Sequence, residues 1–362
     1  MEREYRMPFQ IIRSDITKIK ADAIVNTANP EPVCGGGVDS AVYKAAGAKR
    51  LLAERKKIGP MKAGQAAITP AFQLDARFII HTVGPVWKGG WRGEKKVLRA
   101  CYDNSLGLAF KNHCESIAFP LISTGVYGFP KEKALQIALA AVSEFLMEHE
   151  MTVYLAVFDQ ESFRLSGRLY RKIEEFIDDH YAESRLEAEY ATGNFSERRK
   201  LIDTVSMPPL PDGMLKMSEP SCASAAPQSQ ILPQASAGAA RSLEDVINNV
   251  GETFQERLLR FIDERNLTNA QVYKKANLSR KLFSKILCNP DYQPKKRTVI
   301  AFAIALQLNL DDTKDLMARA GFALSPGSRF DLVIEYFIEK KVYDIYTINV
   351  ALFDHDLPML GE

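Results

Sequence analysis

The sequence is poor in the features that assign a partner by composition. Its five cysteines, Cys34, Cys101, Cys114, Cys222 and Cys288, are scattered over 362 residues without a Cys-x-x-Cys pair. That argues against both a disulfide framework and a thiolate zinc site, and it fits a reducing compartment. No run reaches the roughly eighteen apolar residues of a membrane helix, and the charged start Met1-Glu-Arg-Glu-Tyr-Arg has no apolar signal core. The expectation is a cytoplasmic protein with no membrane partner. Charge of one sign is also missing: the net value is +2, too small to name a nucleic-acid or acidic partner. The length is enough for two ordinary domains.

What is present is concentrated in one stretch, Ile24–Asp39. An apolar run, Ala23-Ile-Val25, ends in Asn26 and Asn29, and a proline-bracketed turn leads to Gly35-Gly-Gly-Val-Asp39. The pattern predicts strand, glycine-rich loop, helix. Three residues without Cβ let backbone N–H groups approach a diphosphate, and the helix that starts near Asp39 adds a positive dipole end. Around this loop, short strands are expected at Phe9–Ile12, Asp22–Val25, Ala66–Thr69, Arg77–Val83, Ser116–Pro120 and Thr152–Phe158. Helices are expected at Val38–Ala48, Glu94–Lys111, Lys131–His149 and Phe163–Tyr181. Strands alternating with helices imply an α/β fold with a largely parallel sheet covered on both faces. Its ligand belongs beyond the carboxyl ends of the strands.

The candidate loops fall there. Leu121–Phe129 is a second glycine-rich loop: Ser123 and Thr124 supply hydroxyls, the N–H groups around Gly125 and Val126 can cradle phosphate, and Tyr127 and Phe129 can pack on a sugar. Asp15, after the first strand, can accept a hydrogen bond from an exocyclic amine such as that of adenine. Asp39 also reads as a helix N-terminal residue that the dipole keeps ionised with a low pKa. Asn26 is expected to brace the loop backbone and His81 to be a satisfied core histidine. Trp87 and Trp91 are expected to brace a surface loop.

Asp15-Ile-Thr17, Asn26-Thr-Ala-Asn29, Gly35–Asp39, His81-Thr-Val-Gly-Pro85 and Ser123–Gly128 together resemble the macrodomain family in order and spacing, over about Met7–Tyr181. The nearest subgroup is the bacterial O-acetyl-ADP-ribose deacetylases and ADP-ribosyl hydrolases. The resemblance implies a three-layer α/β/α fold with a mixed, largely parallel sheet that binds ADP-ribose without metal or cofactor. It implies that Asp15 and Ile16 hold adenine and that Gly35, Gly36, Gly37, Val38 and the Ser123–Tyr127 loop wrap the diphosphate. It further implies that Asn29 and Asp39 lie at the distal ribose, with Asp39 as the proposed general base. Partners implied are ADP-ribose, O-acetyl-ADP-ribose and ADP-ribosylated protein. The sequence departs from the family at Ser14 and Cys34, both usually glycine, and at Thr27, usually alanine.

Beyond this region, residues 1–190 give way to a stretch over 191–240 rich in Pro, Ser, Ala, Gln and Gly, expected to be a disordered linker. A helical domain follows over 241–362. Its segment Leu267–Ile286 resembles the helix-turn-helix of lambda-repressor-like domains, covering about 254–320. That resemblance implies that Ser279–Leu287 enters a DNA major groove with Arg280, Lys281 and Lys285 at the contact; a protein-interaction module is the competing reading. The apolar tail from Phe330 is expected to pack on this domain or to dimerise. Three functions therefore stand open: a hydrolase of ADP-ribose conjugates, a non-catalytic ADP-ribose sensor coupled to DNA, and an antitoxin-like protein that reverses nucleic-acid ADP-ribosylation.

Overall fold

The computed structural model describes residues 7–157, 169–178, 252–289 and 292–361. The expected linker, Phe158 and much of the Phe163–Tyr181 helix lie outside the described residues. The N-terminal strands are β1 (Phe9–Arg13), β2 (Ala23–Thr27), β3 (Ala66–Pro70), β4 (Phe78–Thr82), β5 (Ser116–Pro120) and β6 (Thr152–Val157). They form one sheet in the order β1-β6-β5-β2-β4-β3. Every pairing is parallel except β3 with β4, which is antiparallel.

Period-two alternation builds two apolar layers from the same strands. Ile24, Ile79 and Ala118 face one core with Val42, Tyr43 and Leu51. Val25, Ile80, Ile117 and Phe119 face the other, with Leu98, Tyr102 and Ala138. The helices that cover these faces are α1 (Val38–Ala46), α2 (Ala48–Ile58), α3 (Glu94–Lys111) and α4 (Lys131–Glu148); residues 169–178 are also helical (α5). The sequence predicted a single helix over Val38–Ala48. Gly47, at φ 95°, splits it, and α2 follows at once with Leu51 and Arg55 buried. A left-handed residue cannot continue a right-handed helix, and glycine adopts that conformation without strain.

The C-terminal part is all-helical: α6 (Phe254–Glu264), α7 (Asn269–Lys275), α8 (Arg280–Cys288), α9 (Lys296–Ala305), α10 (Leu310–Arg319), α11 (Arg329–Glu339) and α12 (Ile345–Asp354). Thr253 with Glu256, and Thr268 with Gln271, form capping boxes that start α6 and α7; Ser279 caps α8. α9 is buried along nearly its whole length, at the centre of this bundle. The apolar tail resolves into α11 and α12, and α12 packs on β1 and α4 as well as on α9. The sheet and these helices therefore belong to one compact unit with a continuous apolar core. No helix among the described residues is long and apolar enough to cross a membrane.

Candidate functional site

The carboxyl ends of β1, β5, β2 and β4 carry the loops that the motifs singled out. β2 sits between β5 and β4, so the first glycine-rich loop leaves the sheet beside the second. β1 lies three strand spacings from β2, about 14 Å at the usual separation. The site is accordingly elongated.

At its β2 end, Asp39 stands in the first turn of α1 and is only 2% exposed. Its Oδ2 accepts from the Gly35 N–H at 2.5 Å and its Oδ1 from Asn26 Nδ2 at 2.6 Å. A Cβ on Gly35 would lie 2.6 Å from Asn29 Nδ2 and 3.1 Å from Asp39 Oδ2. The amide of Asn29 and the carboxylate of Asp39 thus converge on one bare backbone position. Burial drives the Asp39 pKa above the ordinary carboxylate range, against the bonds from Asn26 and Gly35 and the nearby Arg55 charge. The expectation of a low pKa is corrected: desolvation outweighs the hydrogen bonds and the Arg55 charge that favour the ionised form.

Behind Asp39 runs a buried polar chain. Asn26 Nδ2 is also 3.1 Å from His81 Nδ1, and His81 Nε2 is 3.0 Å from Thr69 Oγ1. An amide nitrogen only donates, so Nδ1 accepts and Nε2 carries the proton to Thr69. Burial and the Arg55 charge push the His81 pKa down to about 3, so the ring is neutral. His81 is a satisfied core residue, and Asn26 braces the carboxylate as well as the loop. Two further residues carried no sequence signal. Arg55, 1% exposed, donates to the carbonyls of Gly59, Asn29 (3.2 Å) and Pro30 (3.2 Å), which pins the loop that carries Asn29. Tyr43, one turn after Asp39, stays a phenol: burial and the Asp39 charge hold its pKa at about 12. Exposed Cys34 has its pKa raised by desolvation and by Asp39, so it is no thiolate nucleophile.

Gly37 precedes α1 at φ 60°, Gly36 and Gly37 are exposed, and a Cβ at either would meet open space. Val38, half-buried, begins the helix. The second loop is fixed by its own bonds: Thr124 Oγ1 donates to Leu121 C=O at 2.9 Å, and Gly128 N–H to Gly125 C=O at 2.9 Å. Ser123 adopts φ 66° and is buried; a Cβ on Gly84 would fall 2.0 Å from its Oγ. Gly125 and Val126 are exposed, the latter 96%. Phe129 is placed differently from the sugar platform expected of it. It is 1% exposed, packed 4.6 Å from the Trp87 ring, and so is a core residue beneath the loop. Tyr127 is half-buried and accepts the Trp87 N–H at 2.9 Å, which joins the two loops. Glu94 fastens the Trp87–Gly93 loop, accepting from the N–H groups of Lys88, Gly90 and Arg92.

At the β1 end, Asp15 Oδ1 caps the turn Ile16–Lys18 by accepting from Thr17 N–H (2.9 Å) and Oγ1 (2.8 Å). Ile16 is buried in the core layer of α1. Arg280 and Lys281 stand on the first turn of α8, and Lys285 one turn on, over the Tyr292 ring at 4.5 Å.

The family model described as Macro domain matches residues 25–138. An O-acetyl-ADP-ribose deacetylase of Salmonella newport is 48% identical over 165 residues, 44% of this chain and 92% of that protein. The chain belongs to the macrodomain family. A macro domain-containing protein of Mesorhizobium japonicum is 49% identical over 158 residues, 43% of this chain and 89% of that protein. Among solved structures, the Oceanobacillus iheyensis macrodomain with ADP matches at 40% identity, covering 42% of this chain and 85% of that one, with a TM-score of 0.41. All three matches concern the macrodomain half.

Proposed function

We propose that the protein is a hydrolase of ADP-ribose conjugates, acting on esters at the distal ribose, with O-acetyl-ADP-ribose and ADP-ribosylated protein as substrates. The observation that carries it is the convergence of Asn29 and Asp39 at Gly35. A buried carboxylate of raised pKa beside a side-chain amide is equipped to take a proton, which a pure binding loop does not need. The relatives named as O-acetyl-ADP-ribose deacetylases support the same reading at high identity over this half.

In this reading adenine lies at the β1 end, with its exocyclic amine on Asp15 Oδ2, since Oδ1 is taken by Thr17. The N–H groups around Gly36, Gly37, Gly125 and Val126 receive the diphosphate. Asn29 holds the ribose hydroxyls. Asp39 takes a proton from water as the water oxygen bonds to the acyl carbon. When the tetrahedral intermediate collapses, the proton passes to the departing ribose oxygen, and acid and free hydroxyl leave. Asn26, fixed by neutral His81, keeps Asp39 aimed at the water through the cycle.

The test is a panel in which the full chain meets O-acetyl-ADP-ribose, ester-linked ADP-ribosyl protein and ADP-ribosyl DNA. The expected outcome is release from the two esters, slowed at least about 100-fold in Asp39→Ala. Tight ADP-ribose binding with no release from any of the three would make the protein a reader; release from DNA alone would make it a nucleic-acid de-modifier.

A further inference from the structure

β1 is the outermost strand of the sheet, and one side of it is bonded to β6. Val153 N–H donates to Pro8 C=O at 2.7 Å and Ser14 N–H to Val157 C=O at 3.1 Å. An open edge would leave the alternate groups to water or to aggregation. Here Phe9 N–H donates to Asn277 Oδ1 at 2.9 Å, and Phe9 C=O accepts from Asn277 Nδ2 at 3.0 Å. One side-chain amide supplies the donor and acceptor that a seventh strand would have supplied. Asn277 is fully buried at φ 54°, in the turn between α7 and α8.

The strand is held at its far end too. The Arg13 guanidinium lies 5.1 Å over the Phe353 ring and pairs with Asp356 at 3.1 Å. At the Asn277 end, the Phe9 and Tyr346 rings also meet edge-on at 5.3 Å. The turn that closes α12 is itself anchored: His355 stacks on Tyr170 with centroids 4.3 Å apart, and its Nδ1 is 2.9 Å from Glu174 Oε1. Arg13 is the last residue of β1, two before Asp15.

We propose that the α12 turn is a positioning element for the adenine end of the site. Phe353 and Asp356 hold Arg13, and through it the strand end from which Asp15 and Ile16 emerge. This rests on the assignment of adenine to Asp15 made above. An exposed ion pair alone contributes little. The stack over Phe353 and the Asn277 anchor at the other end convert it into a fixed strand rather than a loose contact. Coupling is reciprocal, so a ligand that engages Asp15 steadies the α12 turn in return.

Full-chain protein is titrated with ADP-ribose, AMP and ribose 5-phosphate, and O-acetyl-ADP-ribose hydrolysis is measured beside it. Arg13→Ala is expected to weaken ADP-ribose and AMP by about three- to tenfold, raise KM by the same factor, and leave kcat and ribose 5-phosphate binding as they were. Arg13→Lys, which keeps the charge but not the plane, falls between. Adding Phe353→Ala to Arg13→Ala brings little further loss, because the two act as one contact. In the wild-type chain, AMP slows hydrogen exchange over 345–356 and ribose 5-phosphate does not. Unchanged AMP affinity in Arg13→Ala, or equal losses for AMP and ribose 5-phosphate, overturns the proposal. A wild-type chain that binds no ADP-ribose overturns the underlying assignment instead, whatever Arg13 does.

Discussion

Two side chains titrate against their surroundings in this site, and with opposite sign. Asp39 has its folded pKa raised above the unfolded value by burial, so as a base it is stronger than an exposed carboxylate. The acid limb of kcat/KM is therefore expected to bend above the usual carboxylate value. Asp39→Ala is expected to lose roughly 100- to 10,000-fold in turnover while ADP-ribose affinity stays near wild type; turnover at the wild-type rate would mean that the substrate activates its own water. His81 has its folded pKa lowered to about 3 from 6.5. Above 6.5 it is neutral in both states. Between 6.5 and about 3 the unfolded chain binds a proton that the folded chain refuses, so stability is lost as pH drops, by at most about 1.4 kcal/mol per unit. The raised Asp39 pKa acts the other way, favouring the folded state as pH falls. Urea midpoints from pH 7 to 4 are expected to decline in the wild type and to decline less in His81→Gln; identical slopes would place the acid sensitivity elsewhere.

At the scale of elements, the second glycine-rich loop depends on what β4 leaves bare. Gly84 follows β4, and any Cβ there would strike Ser123 Oγ at 2.0 Å and Ile122 Cγ2 at 2.9 Å. Gly84→Ala is expected to cost about 1–3 kcal/mol in chemical denaturation and to weaken ADP-ribose by displacing the loop. Adding Ser123→Gly removes the struck oxygen and frees a position held at φ 66°; the pair should recover part of both losses, the Ile122 contact remaining, and a pair no better than Gly84→Ala would locate the damage outside the Ser123 contact. The same elements show what could be read locally. Glycine runs, strand-ending asparagines and capping residues declare themselves within a few positions, so the strands, the two loops and the capped helices α6 to α8 were legible. Arg55 reaches back 26 residues to Asn29, and His81 joins Asn26 across adjacent strands. Contacts of that kind depend on sheet order, which no local pattern encodes. The Phe129 placement was missed for the same reason: its neighbour Trp87 comes from the loop after another strand.

At the scale of the whole molecule, the question is what the basic face of α8 can reach. A reading helix must put its first turn into a groove about 12 Å wide. Arg280 and Lys281 instead line a cleft of about 750 Å³ whose other wall is Asp22, Glu115, Ser116 and Glu150 of the macrodomain. Tyr273 O–H donates to Glu150 at 3.0 Å and Lys274 Nζ to the Met147 carbonyl at 2.8 Å, which keeps α7 and the start of α8 against that wall. A duplex approaching this turn would meet the carboxylates of Asp22, Glu115 and Glu150, which repel phosphate. Lys285, exposed over Tyr292, leaves one cation outside the cleft among the three candidates. We therefore expect no retention of duplex fragments by the full chain in a mobility-shift titration, even at low salt. Reading by α8 predicts something different: affinity falling with salt at about 0.9 logarithmic units per phosphate contact, and a slope smaller by about two in Lys281→Ala/Lys285→Ala. That pair of results would assign DNA reading to α8 despite the carboxylates that share its cleft.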